Sequence, residues 1–229
     1  MIFDKNDLHI LILSLLLLIN KIIINLITFK VLINMDLKEM ELKKLEEKIK
    51  KKFVDEDIIE TLKLINSIPN VYSISSCSGR ICLIGFSKGF KKNKSKFVFK
   101  SHKKVNSSEV WEKVKKSKLK NIWFNMEGVI LHIRANDIEN AFKILEIARK
   151  IGFKRGGAYK TKKGITIEIQ DTEKITLPIK IEGKIVASKK LMDLIVRISN
   201  EKLMKTKNKL KEFNKLLCSH IQPHYHNPQ

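Results

Sequence analysis

The amino-acid sequence predicts an α+β protein whose strands form an antiparallel sheet, closed by a long C-terminal helix. Three observations carry that expectation. Short alternating runs, bounded by Pro69-Asn70, Ser78-Gly79 and Gly156-Gly157, recur between Val71 and Ala187 and read as strands. Strands follow strands instead of alternating one for one with helices, which favours antiparallel pairing over a doubly wound parallel sheet. No G-x-G-x-x-G follows a predicted strand, so the usual dinucleotide or nucleoside fold has no support.

The chain has 229 residues, 43% of them hydrophobic, enough for one large domain or two small ones with a real core. Global disorder is excluded. The net charge is +22, and only five of the 46 cations are arginine. A field this large attracts polyanions at long range, so a nucleic acid or an anionic membrane is a better partner than a small acidic metabolite. Cys77, Cys82 and Cys218 cannot all pair and form no C-x-x-C. A disulfide framework and a Cys-only zinc site are excluded, and a reducing cytoplasm is the expected location.

Residues 8–34 are almost wholly apolar, long enough to span a bilayer, and interrupted by Asn20, Lys21, Asn25 and Lys30. The start carries two Asp against one Lys and no small-residue cleavage site follows, which argues against a signal peptide. Three readings stay open: a membrane anchor, a buried helix, or an upstream stretch whose true start is Met35. The last is the expectation. Residues 1–34 are therefore set apart as a hydrophobic leader, and a membrane is not the expected partner. Starting at Met35 leaves a charge of +21, so the basic character belongs to the rest.

After Met35, Leu37, Glu41, Leu45, Ile49 and Phe53 mark one helical face. Asp55 or Asp57 is placed to cap a second helix reaching Ser67. A strand is expected from Val71 to Ser75, a Ser-Gly turn, and a returning strand from Arg80 to Ser87. Lys88 to Lys94 forms a basic loop before a strand from Lys96 to His102. A short helix from about Ser108 to Ser117 precedes strands at 121–126 and 129–134. Asn136 and Glu139 have capping-box spacing ahead of a helix that Gly152 ends. A Gly-Gly turn, a strand from Ile165 to Gln170, another ending near Ile179 and a short one at 184–187 follow. Ser188 caps the final helix, which is expected to run to about Leu217, with 218–229 a disordered tail. A helix, a Ser- or Gly-rich turn and alternating strands thus occur twice, as in a duplicated unit.

The run VYSISSCSGRICLI carries a resemblance. Ser75-Ser76-Cys77-Ser78-Gly79-Arg80 resembles the signature of the tRNA wybutosine-synthesizing protein 3 family. Further matches come in the family's order: VDEDI at 54–58, KSH ending at His102, VILHI at 129–133, GFKRGG at 152–157, TLPI at 176–179 and SNEK at 199–202. The resemblance spans about 50–213. It implies a single methyltransferase domain, here 35–217, built as a duplicated β-α-β-β unit forming an antiparallel sheet or barrel, unlike Rossmann-type methyltransferases. The implied reaction moves a methyl group from S-adenosylmethionine to N-4 of the 7-aminocarboxypropyl-demethylwyosine base at nucleotide 37 of tRNA(Phe). A non-enzymatic basic RNA-binding protein is the alternative. The chain departs from the pattern at Gln170-Asp171, where Arg-Ser is usual.

The resemblance turns several ordinary residues into site candidates. His132 lies between Leu131 and Ile133 on a strand, so its side chain faces away from theirs. His132 or Asp55 is the expected proton acceptor, although Asp55 has a competing use as a helix cap; Ser75 is placed in the catalytic set, its hydroxyl expected to hold a ground-state group. Ser76, Ser78, Gly79 and Arg80 are expected to hold S-adenosylmethionine, through turn N–H groups, hydroxyls and a guanidinium fork. His102, Lys91, Lys92, Lys94, Lys154 and Arg155 are assigned to tRNA. Cys77 is read as a small packed residue, and Trp111, Trp123, Phe97 and Phe99 as core. No metal and no stable protein partner are expected; Cys218, His220, His224 and His226 are read as tail.

Overall fold

The structure is a computed structural model; it describes the backbone of residues 5–86 and 95–221 and the side chains of 13–29, 37–86 and 95–221. The leader and the first predicted helix are one element, α1 (Lys5–Lys50). Its apolar side chains from Leu13 to Phe29 are exposed, which overturns the buried-helix reading for that stretch. Among the described residues, no helix is long and apolar enough to cross a membrane. The distal part of α1 joins the domain: Lys38 Nζ donates to the Ile68 carbonyl at 2.8 Å, and Leu45 packs on the core. Lys52 takes a positive φ of 56° just after the helix ends. Phe53 therefore leaves the Leu37–Ile49 face and is 77% exposed, a correction to the expected stripe.

A single 3-10 turn (Glu56–Ile58) leads into α2 (Ile59–Ser67), then β1 (Val71–Cys77), β2 (Arg80–Phe86) and β3 (Ser95–Ser101). There follow α3 (Ser107–Lys116), β4 (Asn121–Glu127), β5 (Ile130–Ala135) and α4 (Ile138–Lys150). The chain continues through β6 (Arg155–Thr161), β7 (Gly164–Gln170), β8 (Lys174–Ile181), β9 (Lys184–Ile185) and α5 (Lys189–Ile221). The strands form two antiparallel sheets, β1-β5-β7-β6 and β3-β2-β4-β8-β9. This is an α+β architecture with a long C-terminal helix.

The two sheets explain where the sequence reading differs. β2 pairs with β3 and β4, not with β1, so Ser78-Gly79 carries the chain from one sheet to the other instead of closing a hairpin. Gly79 has φ +92°, and an added Cβ would stand 3.0 Å from Thr206 Cγ2 and 3.2 Å from the Glu127 carbonyl. Only glycine accepts both that backbone and that approach. Gly128-Val129 and Asp171 to Glu173 make two further crossings. Gly156 and Gly157 lie inside β6 and form no turn.

Caps follow side-chain geometry more than spacing. Asp137, not Asn136, caps α4 by accepting the Asn140 N–H at 2.7 Å; the Asn136 N–H donates to the Asn70 carbonyl instead. Ser188 caps α5 as expected, accepting from Leu191 N at 3.1 Å. That helix continues to Ile221, so the first residues of the expected tail are helical; His224 and His226 lie outside the described residues.

α5 holds the two halves together. Its first part buries Met192, Ile195, Val196 and Leu203 against the five-stranded sheet and α3. Its second part buries Leu210, Phe213 and Leu217 against the four-stranded sheet, α2 and α4. Each such aliphatic side chain contributes about 1.5–3 kcal/mol on burial. Between the two stretches, Thr206 Oγ1 accepts the Val129 N–H at 3.2 Å and donates to the Asp171 carboxylate. Lys209 also reaches Asp171, at 2.6 Å, while Glu173 takes Lys202 and Lys205. Thr206 thus sits against all three crossings.

A candidate active site where the sheets cross

The first crossing gathers residues from three segments. Asp55 occupies the N-cap position of the 3-10 turn but makes no side-chain cap bond. Its Oδ2 accepts the Ser78 N–H at 2.9 Å and the Ser78 hydroxyl at 3.2 Å. Its Oδ1 lies 3.0 Å from His102 Nε2, and His102 Nδ1 lies 2.9 Å from the Gly79 carbonyl. The competing use of Asp55 as a helix cap is therefore not realised. His102, assigned to tRNA from its place at a strand end beside two lysines, is a half-buried brace of the crossing.

Cys77 packs beside this pair, with Sγ 4.0 Å from His102 Nδ1. Burial pushes its thiol up, and the neighbouring Asp55 carboxylate adds to that. Asp55, Cys77 and His102 bring three ligand-type atoms within 4.8 Å of one another. A neutral thiol is a poor ligand, and both His102 nitrogens already face acceptors. The set reads as a packed polar cluster that braces the crossing.

Ser75 and His132 meet on the outward face of the four-stranded sheet. They are direct cross-strand partners on β1 and β5, and Ser75 Oγ lies 2.7 Å from His132 Nδ1. A register shift between Ser73 and Ser75 turns Ser75 onto the His132 side. Leu131 and Ile133 are fully buried on the opposite face, as strand alternation requires. Beyond His132 the next strand presents Glu168, whose Oε1 is 3.5 Å from Nε2. Glu168 was missed in the sequence reading; the alternation of ITIEIQ, with Ile167 and Ile169 inward, is the signal that marks it as outward-facing.

Arg80 starts β2 with its Nε 2.7 Å from Glu127 Oε2 and its guanidinium 5.1 Å from the centre of the Phe97 ring. Phe97 is 52% exposed, which corrects its placement in the core, whereas Phe99 and Trp111 do pack on the second cluster. Ser75, Ser76 and Asp55 share a hollow of about 290 Å³ with Ser73, Lys44, Lys48, Glu41 and Phe53, between α1 and β1. Lys154 and Arg155 are exposed at the start of β6. Lys91, Lys92 and Lys94 lie outside the described residues. The structure therefore brings together Ser75 with His132, and Asp55 with Ser78, Gly79 and His102.

The model of the methyltransferase TYW3 family matches residues 35–219, nearly all of the described domain. The chain belongs to the TYW3 family. Among TYW3 relatives, a Pyrococcus horikoshii tRNA(Phe) 7-((3-amino-3-carboxypropyl)-4-demethylwyosine(37)-N(4))-methyltransferase 1 is 36% identical over 164 residues, 71% of this chain and 84% of that one. The corresponding methyltransferase 2 of Pyrococcus furiosus is 36% identical over 168 residues, 72% of this chain and 80% of that one. A solved structure of a Pyrococcus horikoshii protein matches this TYW3 chain with a TM-score of 0.74 and 34% identity, covering 80% of it and 94% of that protein. A hypothetical protein from Aeropyrum pernix matches with a TM-score of 0.62 at 28% identity, covering 71% and 96%. A methyltransferase family argues for the enzyme reading over a non-enzymatic RNA-binding TYW3 protein.

Proposed function

We propose that this chain methylates N-4 of the 7-aminocarboxypropyl-demethylwyosine base at nucleotide 37 of tRNA(Phe), in the cytoplasm and without a metal. Family membership over 35–219, with relatives that carry that activity in their names, supports the reading most strongly. Residues 35–217 make the methyltransferase domain; 1–34 and the tail stand outside it.

S-adenosylmethionine supplies the methyl group as an electrophilic substituent on a sulfonium. The hollow beside Ser75 and Ser76 suits such a cosubstrate chemically: Lys48 is placed for a carboxylate and Ser73 and Ser76 for ribose hydroxyls, while Lys44 is already paired with Glu41 at 2.7 Å. Arg80 adds a guanidinium at the neighbouring crossing. Ser78 and Gly79 act less directly, since Asp55 and His102 already engage them. In-line transfer depends chiefly on alignment, which a rigid sheet face provides. The target nitrogen loses a proton, and His132, half-exposed beside Ser75, accepts it. Asp55 is the second candidate and works chiefly by holding the crossing. Lys91, Lys92, Lys94, Lys154 and Arg155 draw the tRNA phosphates, so affinity falls with salt by a log–log slope of roughly −0.7 to −0.9 per contact.

The test is incubation of the purified chain with labelled S-adenosylmethionine and tRNA(Phe) lacking only this methyl group. Label is expected at nucleotide 37, and none on tRNA(Phe) already methylated there. Tight tRNA binding with no label would return the protein to the class of RNA-binding modules.

A further inference from the structure

Four residues lie in cross-strand register on the outward face of the four-stranded sheet: Ser75 on β1, His132 on β5, Glu168 on β7 and Gly157 on β6. Ser75 Oγ is 2.7 Å from His132 Nδ1, and His132 Nε2 is 3.5 Å from Glu168 Oε1. The same Glu168 oxygen accepts from Gln170 Nε2 at 3.0 Å, which orients the carboxylate from behind. Inward neighbours Leu131, Ile133, Ile167 and Ile169 are fully buried, so the core fixes where the row points. Glu168 is also unusual in its company. In a chain of charge +22, Glu173, Asp57 and Asp193 pair with lysines, yet among the described residues no Lys or Arg stands within ion-pair distance of Glu168. Its cationic partner, when there is one, is the imidazolium of His132.

We propose that Glu168 is a positioning residue of the methyl transfer, holding His132 in the Nε2–H tautomer so that Nδ1 takes the substrate proton through the Ser75 hydroxyl. This rests on the proposed methyltransferase function. A carboxylate facing Nε2 attracts a proton there and repels a lone pair, which leaves Nδ1 as the acceptor of the Ser75 O–H. The remaining hydroxyl lone pairs face solvent, where the target nitrogen arrives. As the N–CH3 bond forms from the nitrogen lone pair, the S–CH3 bond breaks and its electron pair stays on sulfur. The nitrogen's proton passes to Ser75 Oγ while the Ser75 proton passes to Nδ1. The imidazolium then stands against the Glu168 carboxylate until it releases its proton to water. Glu168 touches neither substrate and acts through His132.

The test compares full-length wild type with Glu168→Ala and Glu168→Gln by single-turnover transfer of labelled methyl, and by ¹⁵N NMR of the unliganded proteins, the His132 signal being assigned with His132→Gln. Wild type should show the Nε2–H tautomer. Glu168→Ala should lose that preference and lower kcat by about a hundredfold, with KM for tRNA and for S-adenosylmethionine within about twofold. Glu168→Gln keeps a carbonyl acceptor without charge, so it should keep the tautomer and recover about tenfold of the lost rate. If Glu168→Ala fails to fold, the glutamine variant and the wild-type tautomer decide. An Nδ1–H tautomer in wild type, or a kcat in both variants equal to wild type, would overturn the proposal. An Nε2–H tautomer in a wild type that transfers no methyl would sink the methyltransferase reading and leave the Glu168–His132 positioning standing.

Discussion

The carboxylate of Asp55 stands 3.0 Å from His102 Nε2, joining the segment after α1 to the end of β3 across the first sheet crossing. Its other oxygen holds the Ser78 N–H, in a residue with no solvent exposure. Asp55→Ala should strand that buried N–H and unpair the imidazole, costing about 2–3 kcal/mol. Asp55→Asn keeps an acceptor and should cost less. Urea unfolding of both variants checks this; an unchanged midpoint for the alanine variant would show that the pair braces nothing.

His132→Ala should lower methyl transfer by about a hundredfold or more while leaving tRNA and S-adenosylmethionine affinity nearly intact. The imidazole is half-exposed on a strand and carries no buried hydrogen bond, so thermal stability should barely move. Full turnover in His132→Ala, beside loss of turnover in a stably folded Asp55→Asn, would transfer the role of base to the carboxylate.

Acid should loosen α5 through Glu173. Lys202 and Lys205 hold its carboxyl down to about 2, hydrogen bonds from the two ammonium groups being the main cause. A carboxyl depressed in the folded state stabilises it above the ordinary carboxylate range, and the benefit fades as pH falls through that range toward 2. Because Lys205 is well exposed, the contribution at neutral pH is of the order of 2 kcal/mol, discounted for solvent screening. Urea titrations should find Glu173→Gln less stable than wild type at neutral pH, with the gap narrowing below the ordinary carboxylate range and closing only as pH falls through about 2. A gap that does not close with acid would mean that these lysines stabilise α5 through packing alone.

Adjacent glycines of β6 should behave oppositely. Gly156 has φ +126°, and an added Cβ would lie 1.9 Å from the Glu168 carbonyl oxygen, so Gly156→Ala should destabilise by several kcal/mol or displace the edge strand. Gly157, one residue on, would place a Cβ in open space. Gly157→Ala should match wild type in thermal unfolding. Equal melting temperatures for the two variants would contradict this register.

A chain beginning at Met35 should fold and methylate as the full chain does. The leucines and isoleucines of 13–29 are exposed, and the contacts of Lys38 and Leu45 with the domain survive in the shorter chain. Light scattering should also show less self-association, because a contiguous apolar surface is removed. Loss of turnover in the shorter chain would refute the domain boundary.

Strand and helix positions were legible because burial imposes periods of 2 and 3.6, as Leu131-His132-Ile133 and the α4 face show. Which strands pair was not. Ser78-Gly79 looks like a hairpin turn in one dimension, and only Thr206, far away in sequence, shows that it bridges two sheets. Ser75 and His132 were legible as separate site residues through two motifs, and the β1–β5 register is what pairs them. Glu168 was not legible, because its meaning depends on the β5–β7 register and on its having no Lys or Arg ion-pair partner among the described residues. The Asn136–Glu139 spacing misled for a local reason: the Asn136 N–H is drawn to Asn70, and Asp137 takes over the cap.

The Thr206 clasp has a consequence for when the protein becomes competent. A ribosome delivers roughly 5–20 residues per second, N-terminus first. Ser75, His102 and His132 therefore emerge well before the helix that pins their sheets to one another. Until Thr206 reaches Val129 and Asp171, the two sheets lack this clasp and rely on the Asp55 brace and their own strand pairing. A nascent chain surrounded by translating tRNA thus holds every site residue proposed here before its two sheets are clasped together; that registration follows once α5 has cleared the exit tunnel and docked.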